Sequence, residues 1–199
     1  MARPRSIDET ELILRLSRVF RDVGYEGASL AMLEKATGLK KASLYHRFPG
    51  GKAQMAEDVL SAAYGWLEAS VFAPLKGEGT PAQRLAAVSK NFDSFYSGGR
   101  KACLLNMLAA PHAGAGKFSA AIKGAFKALI ESFAALAREA GHPPKAAAER
   151  AERAVMLLHG SLVLSRGLGS REPFRKFLGS LQIELLGSGA YVPLQRIRK

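Results

Sequence analysis

The chain reads as an all-α protein, and three observations carry that reading. Its apolar residues recur at three- and four-residue intervals along most of the 199 residues, the spacing that stacks side chains on one face of a helix. No segment sustains the period-two alternation of a half-buried strand. Many of the 20 Gly and 9 Pro lie in short stretches between the periodic segments, where they punctuate helices.

The elements follow in order. Leu12, Leu16, Val19 and Phe20 form one apolar stripe on a first helix over about residues 8–22, which Gly24 is expected to end. Ser29 stands at an N-cap position, where a hydroxyl accepts a backbone N–H, and Gly38 supplies a left-handed stop after Thr37. A third short helix over 41–47 runs out before Pro49, because the residue preceding a proline is pushed away from helical geometry. After Pro49-Gly50-Gly51 a long connecting helix spans about 52–72, with Met55, Val59, Ala62 and Trp66 on one face and Pro74 beyond its end. Further helices are expected over 81–96, 101–108, 118–139, 144–165 and 172–186, about nine in all. The division expected is a helix-turn-helix domain over 1–51, a helical effector-binding and dimerisation bundle over 52–187, and a basic tail over 188–199 that includes Arg196, Arg198 and Lys199.

Composition sets the broad class. With 48% hydrophobic and 23% charged residues the chain is an ordinary globular protein, neither disordered nor a disulfide-stapled scaffold. The single cysteine, Cys103, excludes an internal disulfide and a Cys-based zinc cluster, so a reducing cytoplasm is the expected compartment. No apolar run approaches the ~20 residues of a membrane span, and no membrane partner is expected. The charge is unusual: 29 Lys and Arg against 17 Asp and Glu give +12, which points to a polyanionic partner. Its distribution weakens that pointer, because residues 1–58 hold ten cations and eight acids while the other +10 lies beyond them. The useful signal is local. Between Leu39 and Lys52 there are four cations (Lys40, Lys41, Arg47, Lys52), two hydroxyls (Ser43, Tyr45), His46 and no acid.

Residues 29–47 thus make two short helices joined at Gly38, the dimensions of a helix-turn-helix whose second helix enters the major groove. Lys and Arg reach phosphates and guanine edges, and Ser and Tyr hydroxyls reach phosphate oxygens. Leu44 and Phe48 would anchor the second helix on the first. The competing reading is a solvated basic helix in an ordinary bundle.

The run Gly24-Tyr25-Glu26, then Ser29, Leu33, Gly38-Leu39 and Lys41-Ala42-Ser43-Leu44-Tyr45-His46-Arg47-Phe48 closely resembles the DNA-binding domain of the TetR family of transcriptional repressors, over about residues 7–60. The resemblance implies an all-helical homodimer with three N-terminal helices that read a DNA operator and a C-terminal domain that binds a small effector. Carried over by position, it implies a phosphate contact for Ser29, base and backbone contacts for Lys41, Ala42 and Ser43, backbone and neighbouring-base contacts for Tyr45 and His46, and a phosphate contact for Lys52. Three positions depart from the family pattern. Lys40 replaces a capping hydroxyl and could gain a phosphate contact; Glu34 stands where a small buried residue is usual; and Phe48-Pro49-Gly50-Gly51-Lys52 is one residue longer, which displaces the lysine of the fourth helix. Together with Cys103-Leu104-Leu105, these features resemble the LmrA/YxaF-type branch, whose regulators answer to drug-like aromatic compounds.

The C-terminal half carries no readable catalytic signature. Gly114-Ala115-Gly116-Lys117 lacks the first glycine and the following hydroxyl of a phosphate loop. The four histidines show no metal-ligand spacing, and neither metal nor cofactor is expected. What the half does hold is aromatic material for a cavity between helices: Trp66, Phe92, Tyr96, Met107 and Phe126 as walls, with Cys103, Asn106 and His159 as contacts for an apolar or aromatic effector, plain core packing being the alternative. On the family pattern the last two long helices, with Phe174, Phe177, Leu178, Leu181 and Leu185 and with the small residues Gly160 and Ser161, would form a four-helix dimer interface. A twofold dimer sets its recognition helices about 34 Å apart and so favours a palindromic operator. A second function class stays open, a helical enzyme or small-molecule carrier using Cys103 or His159. Arg3 and Arg5 lie on an arm ahead of the first helix, where they serve either DNA contact or solubility.

Overall fold

The computed structural model describes residues 7–109 and 116–187. Arg3, Arg5, residues 110–115, which include Gly114 and Ala115, and the basic tail therefore fall outside the described residues. Every regular element among them is helical: α1 (Glu9–Gly27), α2 (Leu30–Thr37), α3 (Lys41–Arg47), α4 (Gly51–Leu67), a π turn (Glu68–Phe72), α5 (Ala73–Lys76), α6 (Pro81–Phe95), α7 (Leu104–Met107), α8 (Ser119–Glu139), α9 (Pro144–Gly167) and α10 (Glu172–Leu186). Counting the unbroken run from α4 to α5 as one helix gives the nine expected. The ends follow local chemistry. Asp8 accepts the Glu11 N–H at 3.1 Å, Ser29 accepts the Met32 N–H at 3.2 Å, and Thr80 and Gln83 form a reciprocal capping box ahead of Pro81.

Two expectations change. Gly24 does not end the first helix; it kinks α1 at φ 72°, and a final turn continues to Gly27. Only Leu104–Met107 of the expected 101–108 helix is helical.

The chain forms two compact units. One comprises Met1–Gly65 with Leu104–Ala121, the other Trp66–Cys103 with Ile122–Lys199. The boundary inside α4 lies downstream of the cut expected at residue 52, and the first unit takes in α7 and the start of α8. Packing explains this. A β-carbon at Gly24 would lie 3.0 Å from the Met107 carbonyl oxygen, so only glycine combines that backbone angle with such a close approach of α7. The Phe118 ring meets Tyr25 edge-on at 5.0 Å. The core of this unit is Leu12, Leu16, Phe20, Leu33, Leu44, Met55 and Val59, all buried.

In the second unit α10 packs on α9 and α6. The Ser70 carbonyl, whose α-helical partner position is Pro74 with no N–H, accepts the Asn91 amide at 2.8 Å. Arg84, on α6, is buried; it donates to the Leu75 carbonyl at 2.6 Å and pairs with Glu139. The hydrogen bond from Arg84 holds the Glu139 carboxyl below the ordinary glutamate range. A carboxyl whose folded-state pKa is depressed adds stability above its ordinary value and loses it as pH falls through the depressed one. Glu139→Gln is accordingly expected to leave a shallower acid limb in a plot of melting temperature against pH, with the wild type and variant converging at the acid end.

Candidate nucleic-acid interface

The second helix of the helix-turn-helix has one buried face and one open face. Leu44 is fully buried and Phe48 nearly so, whereas Lys40, Lys41, Ala42, Ser43, Tyr45, His46 and Arg47 are all exposed. The spacing Leu44 to Phe48 is one helical turn, which directs both inward. The residues around them, Lys40 to Ser43 and Tyr45 to Arg47, face outward as a surface of hydroxyls, cations and a small methyl group, the chemistry that reads phosphates and groove edges.

Position is set locally. Gly51 begins α4 at φ 65°, and a β-carbon there would meet the Tyr45 ring at 3.3 Å. The Pro49-Gly50-Gly51 turn thus lets Tyr45 lie against the start of α4, with its 44% exposure directed outward. The Lys41 ammonium lies 6.0 Å from the Tyr45 ring centroid.

Ser29 is exposed, and its oxygen caps α2. Its own O–H remains a donor for phosphate, so the capping and contact roles are compatible. Lys52 is placed differently from its neighbours. It is half-buried; its ammonium donates to the Tyr25 carbonyl at 2.9 Å and lies 4.4 Å from the centre of the Tyr25 ring. Burial, then the nearby Glu26 and Glu57 carboxylates, push the Tyr25 phenol above its ordinary pKa. The same sequence of causes, burial and then Glu57 and Glu9, raises Asp58 on α4.

Two residues at this face carry roles that sequence reasoning did not assign. Glu34, noted only as unusual, reaches across the turn so that its carboxylate accepts the Lys41 backbone N–H. Lys40 makes no side-chain cap, so α2 supplies what the N-cap residue lacks. A cation at the N-cap with an acid six residues earlier was the available signal. Arg47 anchors the chain ahead of α1, its Nη1 donating to the Ile7 carbonyl at 3.2 Å.

The expected effector residues separate into groups. Trp66 stacks on Phe95 at 3.7 Å and lies 6.0 Å from Phe92; Phe92 in turn faces Tyr96 at 6.3 Å. The Tyr96 hydroxyl donates to the Cys103 sulfur at 3.5 Å, and both residues are buried. Phe174 closes this cluster edge-on to Tyr96 at 5.8 Å. Phe126 and His159 form a separate pair at 4.9 Å, and neither ring nitrogen of His159 meets a hydrogen-bond partner although both are buried. Asn106 is exposed and Met107 half-buried, and both belong to the first unit.

One expectation about the dimer face is corrected. Phe174, Phe177, Leu181 and Leu185 are buried and Leu178 is half-buried, because their stripe is the inner face of α10, packed within the chain. The exposed apolar surface lies instead on Met156, Leu157, Val163, Leu164 and Leu168 of α9 and its end, with Ile183 of α10.

Comparison with known proteins agrees with this architecture. Residues 15–59 match the family described as bacterial regulatory proteins, tetR family, and residues 81–178 match the C-terminal domain of LmrA/YxaF-like transcriptional regulators. The two matches together span more than half the chain. The HTH-type transcriptional regulator LmrA of Bacillus subtilis is 31% identical over 91 residues, 45% of this chain and 48% of that protein, so the match spans about half the length of the relative. A TetR transcriptional regulator from Legionella pneumophila has a similar fold, with TM-score 0.79, 17% identity and coverage of 92% of this chain and 100% of its own. So does the TetR-family regulator CifR, solved as a cysteine mutant complexed with 26 bp double-strand operator DNA, at TM-score 0.71 and 23% identity over 92% of this chain and 98% of its own. Among the described residues no helix is long and apolar enough to cross a membrane.

Proposed function

The chain belongs to the TetR family of transcriptional regulators, not to a family of enzymes, and from that premise we propose that it is a ligand-responsive repressor. It binds a palindromic operator in the cytoplasm as a homodimer and is released by a small apolar or aromatic effector. The observation that carries this reading is the open face of α3, where Lys41, Ala42, Ser43, Tyr45 and His46 are exposed together around a buried Leu44. Ser29 and Lys40 extend that face toward the phosphates. Lys52 acts on DNA through the turn it braces, since its ammonium is held at Tyr25.

The effector reading rests on the aromatic cluster of Trp66, Phe92 and Tyr96 and on His159 beside Phe126, the two imidazole nitrogens of His159 being available for polar contacts. An effector that favours one arrangement of the dimer shifts the spacing of its two recognition helices, and effector and operator then weaken each other reciprocally. The test is selection of duplexes from a random library by the full-length protein at physiological salt. Recovery of an inverted repeat, bound far more tightly than random duplex and released by an aromatic compound found in a thermal-shift screen, supports the proposal. Binding without sequence preference rejects it.

A further inference from the structure

Between Leu39 and Lys52 the sequence holds four cations and no acid, yet the folded recognition face does contain an acid. The turn at Gly38 folds α2 back so that the Glu34 carboxylate sits at the first residue of α3, accepting the Lys41 N–H. Two of the four cations are also tied to the protein's own backbone: Arg47, though exposed, is bonded to the Ile7 carbonyl and Lys52 to the Tyr25 carbonyl. Lys40 and Lys41 are left as the exposed cations at the leading end of α3, and a fixed carboxylate lies on the backbone of the second of them.

We propose that Glu34 is a specificity-determining residue for DNA binding, its carboxylate holding the recognition helix while its charge weakens sequence-independent attachment to phosphates. The inference rests on the DNA-binding reading above. Its logic comes from the two kinds of binding. Attachment to random DNA is almost wholly electrostatic and counts charges near the backbone. Attachment to a preferred sequence adds contacts to base edges, which depend on where α3 is held. α3 has seven residues and no cap from Lys40, so its first turn depends on Glu34 for a charge-assisted bond. One group therefore acts in opposite directions on the two affinities: it opposes random binding by charge and supports preferred binding by position.

The experiment measures affinity of the full-length protein by fluorescence anisotropy, for a random-sequence duplex and for the best duplex recovered by selection, across a salt series. Glu34→Gln keeps an acceptor for the Lys41 N–H and removes the charge. It is expected to tighten random-duplex binding by about threefold for each recognition helix and so about tenfold for the dimer, the effect of one charge per helix a few ångströms from the phosphates, with a steeper salt dependence, and to lower the ratio of preferred to random affinity by a similar factor. Glu34→Ala, which loses the bond as well, is expected to lower that ratio further by weakening the preferred duplex. Random-duplex affinity unchanged in Glu34→Gln, or both affinities shifted by one common factor, would overturn the inference. If Glu34→Ala does not fold, the Gln variant decides alone. If the wild type itself shows no preferred duplex, the operator reading has failed and the inference falls with it; failure of the variants alone leaves that reading standing.

Discussion

A protein carrying Val163→Glu and Leu164→Glu is expected to run as a monomer in sedimentation and to bind its selected duplex at least about a hundredfold more weakly than the wild type. The proposed homodimer is the reason. Met156, Leu157, Val163, Leu164 and Leu168 are 65%, 38%, 59%, 55% and 68% exposed. Their spacing places them on one stripe of α9 and its end, and apart from the adjoining residues and the helix's own backbone no atom lies within 4 Å of where a β-carbon would stand at Gly160 or Gly167 between them. Exposed apolar stripes of this length mark interaction surfaces. In a twofold interface each position counts twice, so the double substitution introduces four carboxylates, and burying an unpaired charge costs several kcal/mol. The substituted residues are exposed, which predicts little change in the helical CD signal. A variant that remains a dimer with undiminished affinity would place the interface elsewhere.

Several helix ends were legible in the sequence because they are written in nearby residues, although α1 runs past Gly24 and α7 is shorter than expected. Ser29 and Gly38 enclose α2, Thr80 and Pro81 open α6, and Pro143 and Pro144 open α9. The open face of α3 was legible for the same reason, since Leu44 and Phe48 are one turn apart. What escaped depends on contacts between distant positions. The acid-free stretch of α3 acquires an acid only when Gly38 folds Glu34 back onto Lys41. Lys52 leaves the exposed set only because Tyr25, 27 residues earlier, receives it. The α10 stripe expected at a dimer face is buried within the chain, and that burial was not legible for a related reason: periodicity says which residues share a helix face, not what covers that face. α10 has one apolar stripe, and the chain itself covers it. α9 has two, an inner one of Ala147, Ala151, Ala154, Val155, Leu158 and Leu162 that is buried and an outer one that is exposed. The effector residues divide likewise, because aromatics on successive helices join only where the packing brings them together, as it does for Trp66, Phe95, Phe92 and Tyr96 but not for Phe126, which pairs with His159.

Leu44→Ala is expected to abolish detectable operator binding near 37 °C although it changes nothing on the exposed face of α3. Leu44 is the one fully buried residue of that helix. Truncating a buried leucine to alanine typically costs about 2–5 kcal/mol, a large fraction of the stability of a small domain. Seven residues are too few to stay helical without tertiary packing, so the loss falls on the position of α3 itself. The first unit should then melt well below the second, and a single wild-type CD transition should divide in two. Because DNA binds only the folded form, excess duplex should raise the lower transition by mass action. Ser43→Ala is the contrasting case, since Ser43 is exposed: affinity falls by the value of a hydrogen bond, about 0.5–1.5 kcal/mol, with the melting curve unmoved. Should Leu44→Ala melt like the wild type and lose affinity all the same, Leu44 would be acting on DNA directly, and α3 would present a different face to the groove from the one its burial pattern defines.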